Sequence, residues 1–247
     1  KGQEIKYTRY NADGSISWYD LYERDSNGNM IKLSSYEADG SISFWQVYEY
    51  DANGNNIKMT VYRKDGKIGS IYEYEYNSNQ KIKSTEYYPD GSLKNVIEYG
   101  SNQIKIKESD YSQGGILYSV TEYSATGKKA KVTYYGASDS TGVKPVVNEY
   151  DDSEKLIKST QYNSDGSIDY WYIYEYSENS MTQTEFRADG TPRDEWVYEY
   201  DASGRTVKSS NYSYYSDGTR HLGFWTEYAY DAVGNEIKHT TYWVEYN

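Results

Sequence analysis

One dipeptide, repeated at nearly even intervals, restricts this chain more than any other feature. Asp-Gly occurs at Asp13-Gly14, Asp39-Gly40, Asp65-Gly66, Asp90-Gly91, Asp165-Gly166, Asp189-Gly190 and Asp217-Gly218, and Gly114-Gly115 and Thr141-Gly142 fill the remaining slots. Glycine accepts a positive φ without steric cost, so Asp-Gly between β-formers marks a tight hairpin turn. A second marker runs in phase with it. Ile-Lys recurs at Ile5, Ile31, Ile57, Ile82, Ile106, Ile157 and Ile237, with Val207-Lys208 a near match. Lys131-Val132 and Met181-Thr182 are degraded versions. A second polar turn precedes these pairs at Asn27-Gly28, Asn53-Gly54, Ser203-Gly204 and Val233-Gly234. The chain therefore reverses twice per repeat, in about ten hairpins of ~25 residues each. No linker interrupts the pattern, so residues 1–247 read as a single continuous hairpin array. Starting at Lys1 and stopping within a repeat, it reads as a piece of something longer.

Between the turns lie runs rich in Tyr, Ile, Val, Thr and Trp, which are strand formers. Tyr88-Pro89-Asp90-Gly91 specifies the turn type. Proline sets φ near −65° at the second position and glycine takes the left-handed residue of a bulge. A type I turn with such a bulge pairs Tyr88 with Ser92 and Tyr87 with Leu93. By analogy Tyr62 faces Ile68, Tyr36 faces Ile42 and Tyr10 faces Ile16. The fold class is all-β, an antiparallel meander of about 19 strands. Neither face is cleanly apolar. Ile42, Phe44, Tyr48 and Tyr50 share one face while Trp45 and Val47 take the other. Two architectures satisfy this: a single-layer or spiralling sheet held by cross-strand pairs, or a curled, closed sheet filled with Tyr. A twisted, curved ribbon is the expected form, because a long open sheet coils.

Composition agrees with a thin structure. The chain carries 34 Tyr and 6 Trp but only 3 Phe and 3 Met, and its mean hydropathy is −0.99. That is too polar for a thick aliphatic core and too aromatic for disorder. The formal charge of −12 opposes nucleic-acid binding, which needs clustered cations. No apolar run reaches the ~20 residues that insert across a membrane as a helix. Without Cys there is no disulfide framework or thiolate chemistry.

The turns before Ile-Lys carry a further signature: Tyr50-Asp51-Ala52-Asn53-Gly54-Asn55, Tyr200-Asp201-Ala202-Ser203-Gly204-Arg205 and Tyr230-Asp231-Ala232-Val233-Gly234-Asn235. Arg24-Asp25-Ser26-Asn27-Gly28-Asn29 is the same with Tyr lost. This resembles the Tyr-Asp repeat of the RHS/YD-repeat family across nearly the whole chain. The resemblance implies a large bacterial surface or secreted protein wound into a spiral sheet, with glycan binding as the function traditionally attached to such repeats. It places the chain outside the cell or on a bacterial cell surface.

Candidate chemistry is sparse. Asp25–Asn29 and Asp51–Asn55 look like the opening of a calcium loop, but glycine falls fourth where an EF-hand needs it sixth. Aspartate capping its own turn is the better account, so no metal site and no cofactor are assigned. Tyr-Glu-Tyr at Glu49, Glu73, Glu175 and Glu199 places a carboxylate opposite two rings, and the recurrent Lys is its expected partner. His221 and His239 belong to no catalytic constellation, so no catalytic residue is assigned. The candidate ligand-binding residues are Trp18, Trp45, Trp171, Trp196 and Trp225, flat rings beside carboxylates and amides that suit stacking on sugars. The expected role is a non-catalytic module binding a polysaccharide, a cell-wall glycan or a surface protein. The alternatives are a passive stalk or shell segment and, more remotely, a fragment of a carbohydrate-active enzyme.

Overall fold

The computed structural model describes residues 5–136 and 144–245; the Thr141-Gly142 turn lies outside them. The chain divides into two compact units, Lys1–Gly127 and Lys128–Asn247. The first holds β1 (Lys6–Tyr10), β2 (Ile16–Arg24), β3 (Met30–Glu37), β4 (Ile42–Tyr50), β5 (Asn56–Arg63), β6 (Ile68–Asn77), β7 (Gln80–Tyr87), β8 (Leu93–Tyr99), β9 (Lys105–Ser112) and β10 (Ile116–Tyr123). The second holds β11 (Lys129–Tyr134), β12 (Val146–Tyr150), β13 (Leu156–Tyr162), β14 (Ile168–Tyr176), β15 (Ser180–Arg187), β16 (Pro192–Tyr200), β17 (Thr206–Tyr214), β18 (Arg220–Tyr230) and β19 (Glu236–Trp243). The chain is all-β with 19 strands, and its one helical segment among the described residues is a 3-10 turn at Ser101–Gln103. Among the described residues no helix is long and apolar enough to cross a membrane.

The turn chemistry forms as expected. Gly91 N–H donates to the Tyr88 carbonyl and Tyr88 N–H to the Ser92 carbonyl, both at 2.9 Å. Gly91 has φ +83°, and Gly14, Gly40, Gly66, Gly166, Gly190 and Gly218 lie between +81° and +88°. Tyr87 pairs with Leu93, Tyr62 with Ile68, Tyr36 with Ile42 and Tyr10 with Ile16, each beside a register shift. The bulge is thus in place at every one of these turns. Three of the remaining turns show other solutions. Asn77 pairs directly with Gln80 around Ser78 and Asn79, both at positive φ, which is a two-residue mirror-image turn without glycine. Glu154 adopts φ +60° where its neighbours use glycine, and Asn102 and Gln103 do the same before β9.

Short turns join most successive strands, and every strand runs antiparallel to the one before it within its unit. Among the described residues, close backbone approach between strands is confined to strands adjacent in sequence. In neither unit do the first and last strands pair, so each is an open meander and the closed, Tyr-filled alternative does not form. There is no second layer within a unit either. The buried apolar residues are Val120 and Val132 alone among the described residues.

What replaces a core is a row one residue wide. Ser34, Thr60, Thr85, Ser109, Thr133, Thr160 and Ser210 are all buried, and each stands two places after the repeat's Lys. Larger side chains flank them from the neighbouring strands. Leu21 and Trp45 bracket Ser34, Val47 and Ile71 bracket Thr60, Val147 and Trp171 bracket Thr160, and Val197 and Trp225 bracket Ser210. Small on one strand and large on the next lets side chains close over the backbone at van der Waals contact.

A direct consequence concerns Gly66. A Cβ there would meet only Trp45, at 4.0 Å, so Gly66→Ala is strained by its φ of +81° alone. The left-handed conformation costs a non-glycine residue about 1–2 kcal/mol. Gly66→Ala should lower stability by that amount in a urea melt, whereas an unchanged midpoint would show that this turn does not hold the register.

Candidate functional site

Strand alternation gives each unit two distinct faces. On the first lie Lys58, Thr60 and Tyr62 of β5, and with them Trp45, Val47 and Glu49 of β4. This face carries the expected ion-pair row. Lys32 meets Glu23 at 3.0 Å, Lys58 meets Glu73 at 3.7 Å, Lys83 meets Glu75 at 2.9 Å and Lys107 meets Glu98 at 3.7 Å. In the second unit Lys158 meets Glu149 at 3.6 Å and Lys208 meets Glu199 at 3.4 Å. Glu175 is different, because its cross-strand neighbour is Thr182 of the degraded Met181-Thr182 pair. These pairs are largely solvated, so each contributes only a few tenths of a kcal/mol.

Farther along the same face is an aromatic row. Tyr19 stacks on Tyr36 at 5.0 Å, Trp45 on Tyr62 at 5.1 Å, Trp171 on Phe186 at 5.4 Å and Trp225 on Tyr242 at 4.9 Å, all within 14° of parallel. The far edges of Tyr19, Trp45 and Trp171 rest 3.9–4.0 Å from the Cβ positions of Gly40, Gly66 and Gly190. Each ring therefore covers the next strand's ring and the next turn's glycine together.

One repeat departs from this. At the place of Trp45 and Trp171, β16 carries Glu195, which is buried and accepts the Tyr214 hydroxyl at 2.6 Å and the Arg220 guanidinium. Arg220 in turn lies 3.4 Å from the Tyr212 ring centroid. A cation on a ring, with a buried counter-ion, replaces a ring on a ring.

The second face belongs to tyrosine. Its hydroxyls act as staples between hairpins: Tyr50 donates to the Met30 carbonyl at 2.8 Å, Tyr176 to Leu156 at 2.9 Å and Tyr230 to Thr206 at 2.7 Å. In each case the acceptor is the first residue of the strand immediately before, where a turn has just ended. Lys155 and Arg205 lie over the rings of Tyr176 and Tyr230 at 5.0 and 4.9 Å. Tyr50 and Tyr230 are each the Tyr of a Tyr-Asp motif. Carboxylates here are engaged as acceptors. Tyr72 donates to Glu86 at 3.0 Å and Tyr123 to Glu108 at 2.7 Å. Burial works to raise Glu108, yet bonds from Tyr123, Lys105 and Asn95 hold it below the usual carboxylate value. Tyr172 is pushed up to about 12 by burial, with Glu185 adding to the effect, so it stays protonated and is no base.

The turn aspartates are engaged by their own loops. Asp25 Oδ1 accepts the N–H groups of Asn27 and Asn29, and Oδ2 accepts the Asn29 side-chain amide; Asp51 and Asp231 repeat the arrangement. In the Asp-Gly turns other than Asp65-Gly66, the residue after glycine supplies both donors, as Ser41 N and Oγ do to Asp39 at 2.9 and 2.6 Å. That Ser or Thr recurs at Ser15, Ser92, Ser167, Thr191 and Thr219 and is a marker the dipeptide reading passed over.

The five candidate tryptophans are all half-buried, and the structure does not gather them into one surface. In the first unit Trp45 lies on the first face and Trp18 on the second, one residue out of step with it in the repeat. In the second unit Trp171 and Trp225 share the first face while Trp196 lies on the other, against Tyr198 and Phe224. Trp18 touches Tyr7 at 5.4 Å. His221 and His239 sit on adjacent strands but pair with Ser213 and Tyr228; His239 contacts Glu236 at 2.9 Å and His221 contacts Thr219 at 3.0 Å.

Among known families, one described only as a protein of unknown function, DUF2963, matches at residues 36–86 and 137–185. No curated protein matches significantly. Among solved structures, the TcdB2-TccC3 crystal structure is similar over 95% of this chain and 18% of that one, at 12% identity and TM-score 0.30. The Photorhabdus luminescens Tc holotoxin pore is similar over 94% of this chain and 15% of its own, at 10% identity and TM-score 0.25. A porin-like protein from Bacteroides uniformis matches over 91% and 94%, at 8% identity and TM-score 0.23.

The turn carboxylates generate a pH dependence. Asp13, Asp25, Asp39, Asp51, Asp90, Asp165, Asp189, Asp201, Asp217 and Asp231 all lie below their ordinary 3.8, chiefly through a side-chain bond from the residue two or four places on. A depressed folded-state pKa stabilises the fold above the unfolded value, and that stability is lost as pH falls through the folded one. Thermal midpoints should be flat from neutrality to about pH 5 and fall steeply below about pH 4. A midpoint unchanged from pH 5 to pH 3 would contradict this account of the turns.

Proposed function

We propose that this chain is a non-catalytic, extracellular repeat module of the Tyr-Asp type, belonging to a bacterial surface or secreted protein and presenting aromatic sheet faces to a glycan or a protein partner. The observation that carries the reading is the division of labour among its side chains. Carboxylates of the kind that do chemistry are held by turn amides, tyrosine hydroxyls and lysines. The rings remain half-exposed on a sheet with no covering layer. Supporting the Tyr-Asp assignment, the Tyr and Asp of that motif have separate mechanical roles, one joining hairpins and the other closing the turn.

A passive structural segment is the second reading. It is favoured by the stacking of Trp45, Trp171 and Trp225 on the next strand, which gives those rings a packing role with no ligand. Trp18 is not used in this way, so the two readings divide at that residue.

The test applies the full chain to an array of bacterial polysaccharides, followed by titration of Trp emission with each one retained. Retention of at least one glycan, with emission quenched and affinity reduced at least tenfold by Trp18→Ala, is the expected result. Retention of none, with emission unchanged throughout, leaves the passive segment. Turnover of a chromogenic glycoside that one Asp or Glu substitution abolishes would overturn the non-catalytic reading.

A further inference from the structure

The second face of the first unit contains an open slot of about 320 Å³ across β2, β3 and β4, lined by Trp18, Asp20, Ser35, Glu37, Ser43 and Phe44. It exists because two large rings stand in different rows. Trp18 is opposite Glu37, whereas Phe44 is opposite Ser35, and Ser35 is opposite Asp20. The rings are carried by strands on either side of β3, about 10 Å apart, and Ser35 between them is small and buried. The second unit shows the closed version of the same arrangement. There Trp196, Asn211 and Phe224 share one row, and the rings meet edge to face at 5.5 Å. One row of offset is what keeps the first slot open.

The slot carries negative charge without compensation. Asp20 Oδ1 is buried and has no hydrogen-bond partner. Among the described residues neither the Asp20 nor the Glu37 carboxylate forms an ion pair, although lysines answer carboxylates throughout the first face. Ring faces attract cations electrostatically, and the overall charge of −12 adds to the field that draws one in. An ammonium supplies three donors and a full positive charge. The volume is at the small end for ligand sites, enough for a single ring. Trp18, with its contact to Tyr7 on the β1 side, and Phe44, 36% exposed, offer flat surfaces to the C–H face of such a ring.

We propose that this slot binds a free, non-acetylated amino sugar of a glycan, its pyranose ring against Trp18 and Phe44 and its ammonium group held by Asp20 and Glu37. The assignment rests on the glycan-display reading and narrows it to sugars bearing a protonated amine. The slot falls on the face opposite Trp45, whose ring is occupied by Tyr62.

The test uses the full chain at mildly acidic pH and compares a glucosamine hexamer with an N-acetylglucosamine hexamer, by calorimetry and Trp emission. The glucosamine hexamer should bind at least tenfold more tightly and lose that advantage in high salt. Asp20→Asn should weaken it at least tenfold, Glu37→Gln, at an exposed position, should weaken it in the same direction, and Asp169→Asn, at an exposed carboxylate of the second unit, should leave it unchanged. Thermal melts of each variant separate lost binding from lost folding. Equal affinity for the two hexamers, or indifference to both carboxylate substitutions, overturns the ammonium site while glycan display stands. Failure of both hexamers, with other polysaccharides retained on the array, overturns the site alone; failure of every glycan overturns both.

Discussion

Everything in this structure depends on where the chain reverses. A bulged turn, with glycine at positive φ and an aspartate closing the loop, fixes which residue faces which across the hairpin. Side chains alternate with a period of two along a strand, so a slip of one residue would move every side chain to the opposite face. Globular sheets have a core that penalises such slips. Here Val120 and Val132 are the only buried apolar residues among those described, and the penalty falls instead on the turns and on rows of matched side chains. Aspartates that hold two or three donors of their own loop, as Asp39 and Asp51 do, therefore act as register pins.

Once register is set, sequence periodicity becomes spatial periodicity. Lysines meet glutamates, small hydroxyl residues lie between large ones, and rings lie on rings, each row built from one position of the repeat. Tyrosine is the residue that makes so thin a sheet workable. Its ring covers area while its hydroxyl reaches carbonyls freed at strand ends, as from Tyr50 to Met30. No aliphatic side chain does both. The Glu195–Arg220–Tyr212 arrangement shows how tolerant the scheme is, since a cation with its counter-ion occupies the place of a stacked ring.

Much of this was legible from residue spacing, because local turn chemistry dictates the topology. Pro89-Asp90-Gly91 was enough to pair Tyr87 with Leu93, and the Lys following each Ile pointed to its glutamates. The buried Ser and Thr two places after that Lys were not read, because a small polar residue carries no apolar signal; only the bulk of its neighbours makes it a core position. Ser78-Asn79 and Glu154 take left-handed conformations without glycine, and nothing in their residue types announces it. The tryptophans were read as one set because they recur near Tyr-Glu. A difference of one residue in step, as between Trp18 and Trp45, sends rings to opposite faces, and that difference is also what leaves the slot at Asp20 open.

Excision of one whole repeat, residues 39–64, puts the central claim at greatest risk. It joins Ala38 to Asp65, so that one Asp-Gly turn replaces another and each strand keeps a neighbour of the same kind. If turns and adjacent-strand rows are the whole of the architecture, the shortened chain keeps the same circular-dichroism signal per residue and a cooperative melt, while an excision one residue longer or shorter loses both. If instead the in-register excision abolishes folding as completely as the out-of-register one, contacts beyond neighbouring strands hold the array and the account is wrong.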